Sequence, residues 1–340
     1  MIARAFHAWE RRLASIDTNR LVRPFEWGLD WLDVDPPAST PDDAGAFLRA
    51  WSRARVDDSD AWFTAPPTTD YAFADGTLRF PSAVRTPHPE NNVVTARVFP
   101  ARERRPGEPR RAVVVLPQWN ADAGGHVGLC ELFARFGLTA VRLSLPYHDV
   151  RRPADLARSD FIVSPNVGQT LQVNRQAVLD ARRVIDWLAG RGFERIGIMG
   201  TSLGSCLAML TMAHDARVRA GAFNHVSPYF ADVVMEGLST RHVRAGLDGH
   251  VTAAELRDLW LPISPLPFVE RVRGREVLLV YARYDLTFPV PLSRRFVSEF
   301  RDRRIPHRLR VLPCGHYTTG RTPFKFIDGW HLTRFFARQL

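Results

Sequence analysis

The stretch Arg195-Ile196-Gly197-Ile198-Met199-Gly200-Thr201-Ser202-Leu203-Gly204-Ser205 constrains this chain more than any other. An apolar run passes directly into G-x-S-x-G, and the small, apolar Cys206-Leu207-Ala208-Met209-Leu210 that follows suits a helix. A strand that bends into a helix at a single residue needs small neighbours on both sides of the bend. Ser202, at the bend, is thereby held over the N-terminus of the new helix, whose N–H groups suit an anionic oxygen. The spacing predicts a nucleophile elbow, against the plainer possibility of an ordinary strand-to-helix turn.

Around this turn the sequence repeats one pattern. Apolar runs without alternation occur at Ala112 to Leu116, Thr139 to Leu143, Arg195 to Met199, Ala220 to Phe223, Val277 to Tyr281 and Leu309 to Leu312, separated by helical periods. Strands apolar on both faces predict a mostly parallel, doubly wound α/β sheet with helices on both faces. The clearest helix carries Val167, Leu171, Val178, Ala181, Ile185 and Leu188 and stops at Gly190. Two alternating runs, Leu78 to Val84 and Val93 to Val98, flank a turn-prone Pro87-His88-Pro89-Glu90-Asn91-Asn92 and predict a hairpin.

Residues 1–75 read as a tryptophan-rich, helical N-terminal extension broken by Pro36-Pro37, Pro41 and Pro66-Pro67. Trp9, Trp27, Trp31, Trp51 and Trp62 either bury against the main domain, taken as 76–340, or wall a pocket. Residues 226–270 exceed a normal connection between strands and predict a cap insertion at the sheet's C-terminal edge. Thr252-Ala253-Ala254-Glu255 is a capping box within it, and Tyr229, Phe230, Val233, Met235, Trp260 and Phe268 are its exposed-looking apolar residues.

A net charge of +10 raises the question of nucleic acid. Lys325 is the single lysine among 46 basic residues, and arginine pairs such as Arg11-Arg12, Arg104-Arg105, Arg182-Arg183 and Arg303-Arg304 are scattered among acidic neighbours rather than clustered. No nucleic-acid partner is expected. Cys130, Cys206 and Cys314 are odd in number and lack C-x-x-C spacing, which argues against a disulfide framework and a zinc site. With no signal-peptide core at Met1 to Arg11 and no uncharged run of the ~18 residues a membrane span needs, a cytoplasmic protein without membrane association is expected. Oligomeric state is left open.

A serine elbow needs a base and an acid to orient it, in the order serine, acid, histidine for such a sheet. Asp285 follows the Val277 to Tyr281 run, and His316 follows Leu309 to Leu312 in Pro313-Cys314-Gly315-His316-Tyr317. Both loops lie at the same strand edge as Ser202. His307 precedes its strand, His331 falls in the C-terminal helix pattern, and His225 comes too early in the order; Asp232 is the one substitute for Asp285. An oxyanion hole would use the N–H of Leu203 and one N–H from the loop after Leu116, Trp119 before Gln118. Gln118 and Tyr147 are carried as substrate-binding candidates, the alternative for Tyr147 being loop packing.

These residues resemble the α/β-hydrolase superfamily, most closely its serine esterase and dienelactone-hydrolase-like branch, over about residues 78 to 340. The resemblance implies Ser202 as nucleophile, His316 as general base and acid and Asp285 as its orienter, with Leu203 and Trp119 at the oxyanion and no metal or organic cofactor. Pro117-Gln118 stands where such proteins usually carry His-Gly. The implied activity is cleavage of a small-molecule carboxylic ester through an acyl-enzyme. A peptidase, thioesterase or acyltransferase with the same triad is the alternative within enzymes, and a catalytically silent binding protein the alternative outside them. Activity is expected to rise with pH through a group near about 6.5, the ordinary histidine value.

Overall fold

A computed structural model describes residues 1–32, 43–102 and 107–340. Pro36-Pro37, Pro41 and the Arg104-Arg105 pair lie outside these residues. The strands are β1 (Ala72–Ala74), β2 (Thr77–Pro81), β3 (Val93–Phe99), β4 (Arg111–Leu116), β5 (Thr139–Leu143), β6 (Arg195–Thr201), β7 (Val218–Asn224), β8 (Glu276–Ala282) and β9 (Arg308–Leu312). The helices are α1 (Ile2–Ala14), α2 (Ala44–Asp57), α3 (Ser59–Trp62), α4 (Val127–Arg135), α5 (Val167–Gly190), α6 (Leu203–His214), α7 (Phe230–Glu236), α8 (Arg241–Leu247), α9 (Ala253–Leu259), α10 (Val290–Asp302) and α11 (Phe324–Gln339).

One sheet takes the order β1-β2-β3-β5-β4-β6-β7-β8-β9. β1, β2, β3 and β5 pair antiparallel, and β5 through β9 pair parallel. The mostly parallel doubly wound sheet expected from the apolar runs is therefore present. β1 is the element that the pattern did not predict, because its Ala72, Phe73 and Ala74 are all exposed and carry no burial signal.

Alternate residues of the strands feed two separate cores. Val113, Val115, Met199 and Ala222 meet Cys130 and Phe133 of α4 and Leu332, Phe335 and Phe336 of α11. Ala112, Val114, Leu116 and Ile198 meet α5, α6 and the Phe296, Val297 and Phe300 side of α10. The connection from β4 runs to β5 and the one from β6 runs the other way to β7. Right-handed crossovers then put α4 on one face and α6 on the other, opening a crevice between the C-terminal ends of β4 and β6.

α5 is buried on nearly every side although its sequence is amphipathic. The N-terminal extension covers its outer face: Arg175 Nε donates to Trp62 O at 2.7 Å, and Tyr71 Oη donates to Arg183 O at 3.0 Å. Trp51 and Trp62 are buried there, whereas Trp9 is exposed. Between β7 and β8 the chain carries the helices α7, α8 and α9. The capping box closes with Thr252 N–H to Glu255 Oε2 at 2.8 Å and Glu255 N–H to Thr252 Oγ1 at 3.2 Å. Trp260 and Phe268 are not exposed, contrary to their appearance in sequence. Trp260 is fully buried against Phe230 with its Nε1 donating to Val167 O, and Phe268 packs on Phe63 and His214.

Cys130, Cys206 and Cys314 are free and buried. Among the described residues no helix is long and apolar enough to cross a membrane.

Candidate active site

Ser202 stands between β6 and α6 with φ +58° and ψ −121°, a left-handed-side conformation that non-glycine residues seldom adopt. The bend brings backbone into contact with backbone: a Cβ on Gly200 would collide with the main chain at Gly204, and one on Gly204 with Leu116 and Pro117. This is the physical reason for the flanking glycines. The Ser202 N–H donates to Asn224 O at 2.8 Å, tying the turn to the adjacent strand β7. Leu203 begins α6, so its N–H has no intrahelical acceptor and is free to face an anion.

His316 and Asp285 arrive from the loops after β9 and β8. His316 Nε2 lies 3.1 Å from Ser202 Oγ, and His316 Nδ1 lies 3.0 Å from Asp285 Oδ2. Asp285 Oδ1 accepts the N–H groups of Thr287 at 2.8 Å and Phe288 at 2.7 Å. Phe288 stacks flat on the His316 ring, 5.4 Å between centroids and 5° between planes. The imidazole is thus held at both nitrogens and on one face.

A second histidine, His225, shares the same carboxylate oxygen: its Nδ1 lies 2.8 Å from Asp285 Oδ2 and its ring 4.3 Å from that of His316. The order rule set His225 aside, yet it stands one residue past β7, between the strands that carry Ser202 and Asp285. Its position at that edge was the signal available. Burial opposes ionisation of Asp285, but His316 and His225 outweigh it and hold the carboxyl below the usual carboxylate range. Burial likewise works against a charged His316, and Asp285 and Glu10 overcome it to raise its affinity for a proton. His225 goes the other way, lowered first by burial and then by its histidine neighbour.

His225, Asp285 and His316 are also the one group of potential metal ligands among the described residues, their ligand atoms within 4.8 Å of one another. Their contacts fit protons better than a cation: Asp285 Oδ2 sits at hydrogen-bond distance from two imidazole nitrogens, and Oδ1 is engaged by two backbone N–H groups.

The loop after β4 is pinned from beneath. Asn120 N–H donates to His148 Nε2 at 2.9 Å, and His148 Nδ1 meets Pro146 O at 2.9 Å, which fixes its tautomer. Asn120 Oδ1 accepts from Ser159 N–H at 2.8 Å, and Trp119 Nε1 donates to Ser159 O at 2.8 Å. The Trp119 ring lies parallel to His242, 5.6 Å away. Gln118, Trp119, Ser202, Leu203 and His316 all border one cleft of about 1130 Å³.

The lining of that cleft includes the apolar Met209, Phe223, Val226, Phe230, Val233 and Val234. Asp17, Asn19 and Arg20 of the N-terminal extension also line it, and none of the extension's five singled-out tryptophans does. Tyr147 does not reach the cleft. Its φ is +62°, its N–H donates to Asn91 Oδ1 at 3.0 Å, and its hydroxyl lies 3.1 Å from His88 Nδ1. Its contacts are those of loop packing. Asp232 also lies apart from His316 and is ion-paired with Arg257. His307 bonds its own strand's approach at Ile305 O, and His331 lies in α11, as expected.

No protein-family model matches the sequence, and no curated protein matches it. Solved structures do. The acylaminoacyl peptidase of Pyrococcus horikoshii superposes with a TM-score of 0.62 at 17% identity, over 80% of this chain and 42% of its own, so this chain spans less than half that protein's length. The acetyl xylan esterase of Paenibacillus sp. R4 superposes with a TM-score of 0.62 at 12% identity, over 92% of this chain and 99% of that one. An acetyl xylan esterase from a Thermoanaerobacterium species gives 0.57 at 14% identity, over 88% and 95% of the two chains. What is shared at these identities is the architecture: the chain has the α/β-hydrolase fold.

Proposed function

We propose that this α/β-hydrolase-fold chain is a serine hydrolase that cleaves a carboxylic ester through an acyl-enzyme. The observation that carries the reading is the unbroken line of contacts from Ser202 Oγ to His316 Nε2 and from His316 Nδ1 to Asp285 Oδ2, at 3.1 and 3.0 Å. Ser202 Oγ attacks the ester carbonyl as its proton passes to His316 Nε2, and Asp285 faces the imidazolium that results. The tetrahedral oxyanion is met by the N–H groups of Leu203 and Trp119. His316 then gives the proton to the departing alcohol oxygen, and water repeats the sequence on the acyl-enzyme.

The apolar lining residues Phe223, Val226, Phe230 and Val233 suit an acyl or alkyl group. The likeness to acetyl xylan esterases over nearly the whole of both chains favours an ester, and the likeness to an acylaminoacyl peptidase favours an amide as the second reading. Purified protein assayed on p-nitrophenyl esters, thioesters and aminoacyl amides separates them. Ester turnover exceeding amide turnover is the expected result; amide turnover with inert esters would favour the peptidase reading.

A further inference from the structure

The N-terminal helix α1 packs on the loop that carries His316 and contributes a fully buried acid to it. In α1 the buried residues are Glu10 and Ala14, and Glu10 has no exposed surface. Its partners are the two residues that follow His316. Tyr317 N–H donates to Glu10 Oε2 at 2.9 Å, while Thr318 N–H and Thr318 Oγ1 each donate to Oε1 at 2.9 Å. Thr318 Oγ1 also accepts the Gly315 N–H at 2.7 Å, so the residues on both sides of His316 are held through one carboxylate. The fit is close enough that a Cβ on Gly315 would collide with Glu10.

The same helix grips the Asp285 loop. Phe6 stacks on Tyr284, 4.6 Å between centroids and 11° between planes, and Tyr284 N–H donates to Cys314 O at 2.9 Å. A burial this complete for a carboxylate is costly unless the acid is well hydrogen-bonded, and these bonds to the His316 loop supply that compensation.

We propose that Glu10 is a positioning residue for the reaction: it fixes the backbone on which His316 stands and stabilises, by its negative charge, the imidazolium that forms when Ser202 is deprotonated. The inference rests on the serine-hydrolase reading above. The other groups around the His316 ring are Asp285 at Nδ1, Ser202 at Nε2, His225 and Phe288 at its faces, and Tyr317, whose hydroxyl is reached by Arg20. Asp285 and Glu10 are the acids that favour its charged form, with Cys314 nearby as a buried neutral thiol.

The test is the full chain carrying Glu10→Gln or Glu10→Asp. It is followed by the pH profile of kcat/KM on p-nitrophenyl acetate, separate kcat and KM, the rate of fluorophosphonate labelling, and thermal unfolding. Loss of the charge in Glu10→Gln is expected to lower kcat roughly 10-fold, leave KM within about twofold, and move the acid limb of the profile to lower pH by about half a unit or more. A folded Glu10→Gln protein with an unmoved acid limb and wild-type kcat overturns the proposal. Glu10→Asp keeps the charge but shortens the reach, so kcat should fall while the acid limb stays; wild-type kcat there overturns the positioning role even where Glu10→Gln does not fold. Absence of label at Ser202 in the wild-type protein would instead overturn the serine-hydrolase reading and this inference with it.

Discussion

His225 Nδ1 lies 2.8 Å from Asp285 Oδ2, the same oxygen that meets His316 Nδ1 at 3.0 Å. With the Thr287 and Phe288 N–H groups on Oδ1, the carboxylate has partners on both oxygens and a fixed orientation. A hydrogen bond to a charged group is worth about 1.5–3 kcal/mol. If that is felt in the transition state, His225→Ala should lower kcat by roughly 10- to 100-fold with little change in KM. Steady-state kinetics on a short ester check this, and an unchanged kcat in a folded variant would reduce His225 to packing.

The attacking step needs neutral His316, and the surrounding carboxylates raise its proton affinity above the ordinary histidine value. Activity should therefore be suppressed at low pH and rise through an apparent value above about 6.5, where the sequence alone placed it near that figure. A kcat/KM profile with its acid limb at or below 6.5 contradicts the arrangement.

His148 holds the Trp119 loop by accepting the Asn120 N–H, and burial keeps it neutral by lowering its pKa to about 4. His148→Ala should release the loop and misplace the Trp119 N–H. Loss of one oxyanion donor costs about 10²–10³ in kcat, which sets the ceiling on the expected fall. Comparable kcat for wild type and variant on the same ester would remove Trp119 from the oxyanion hole.

Asp328, on α11, is buried with Asn224 Nδ2 as its partner at 2.7 Å, and burial raises its pKa to about 7. In the unfolded chain the same group ionises near 3.8. Between these values the folded state binds the extra proton, so this group's contribution to stability falls as pH rises from about 4 to 7. Asp328→Asn keeps an acceptor for Asn224 and should flatten that fall, giving a Tm gain over wild type that is larger at pH 8 than at pH 5. Equal Tm differences at both pH values would contradict it.

The residues that were legible in sequence owe this to topology. A parallel sheet gathers its strand ends at one edge, so Ser202, Asp285, His316, Trp119 and Gln118 could be placed there from apolar runs alone. Tyr147 shares that edge in sequence, but it is buried against Asn91 and His88, partners more than fifty residues away that the sequence does not announce. Trp260 and Phe268 looked exposed because the insertion's partners, Val167 on α5 and Phe63 and His214, are distant in sequence. Glu10 was invisible for the same reason: a lone acid on an amphipathic helix gives no sign of meeting Tyr317 and Thr318. His225 was visible and set aside, since the serine, acid, histidine order identifies the base but says nothing of a second ring on the acid.

The identity of the nucleophile is tested most directly by mapping a fluorophosphonate adduct on intact and digested protein, wild type beside Ser202→Ala. The expected result is one adduct, on the peptide containing Ser202, lost together with ester hydrolysis in Ser202→Ala while thermal unfolding is preserved. Stoichiometric labelling of folded Ser202→Ala, or ester turnover that survives the substitution, would contradict the account.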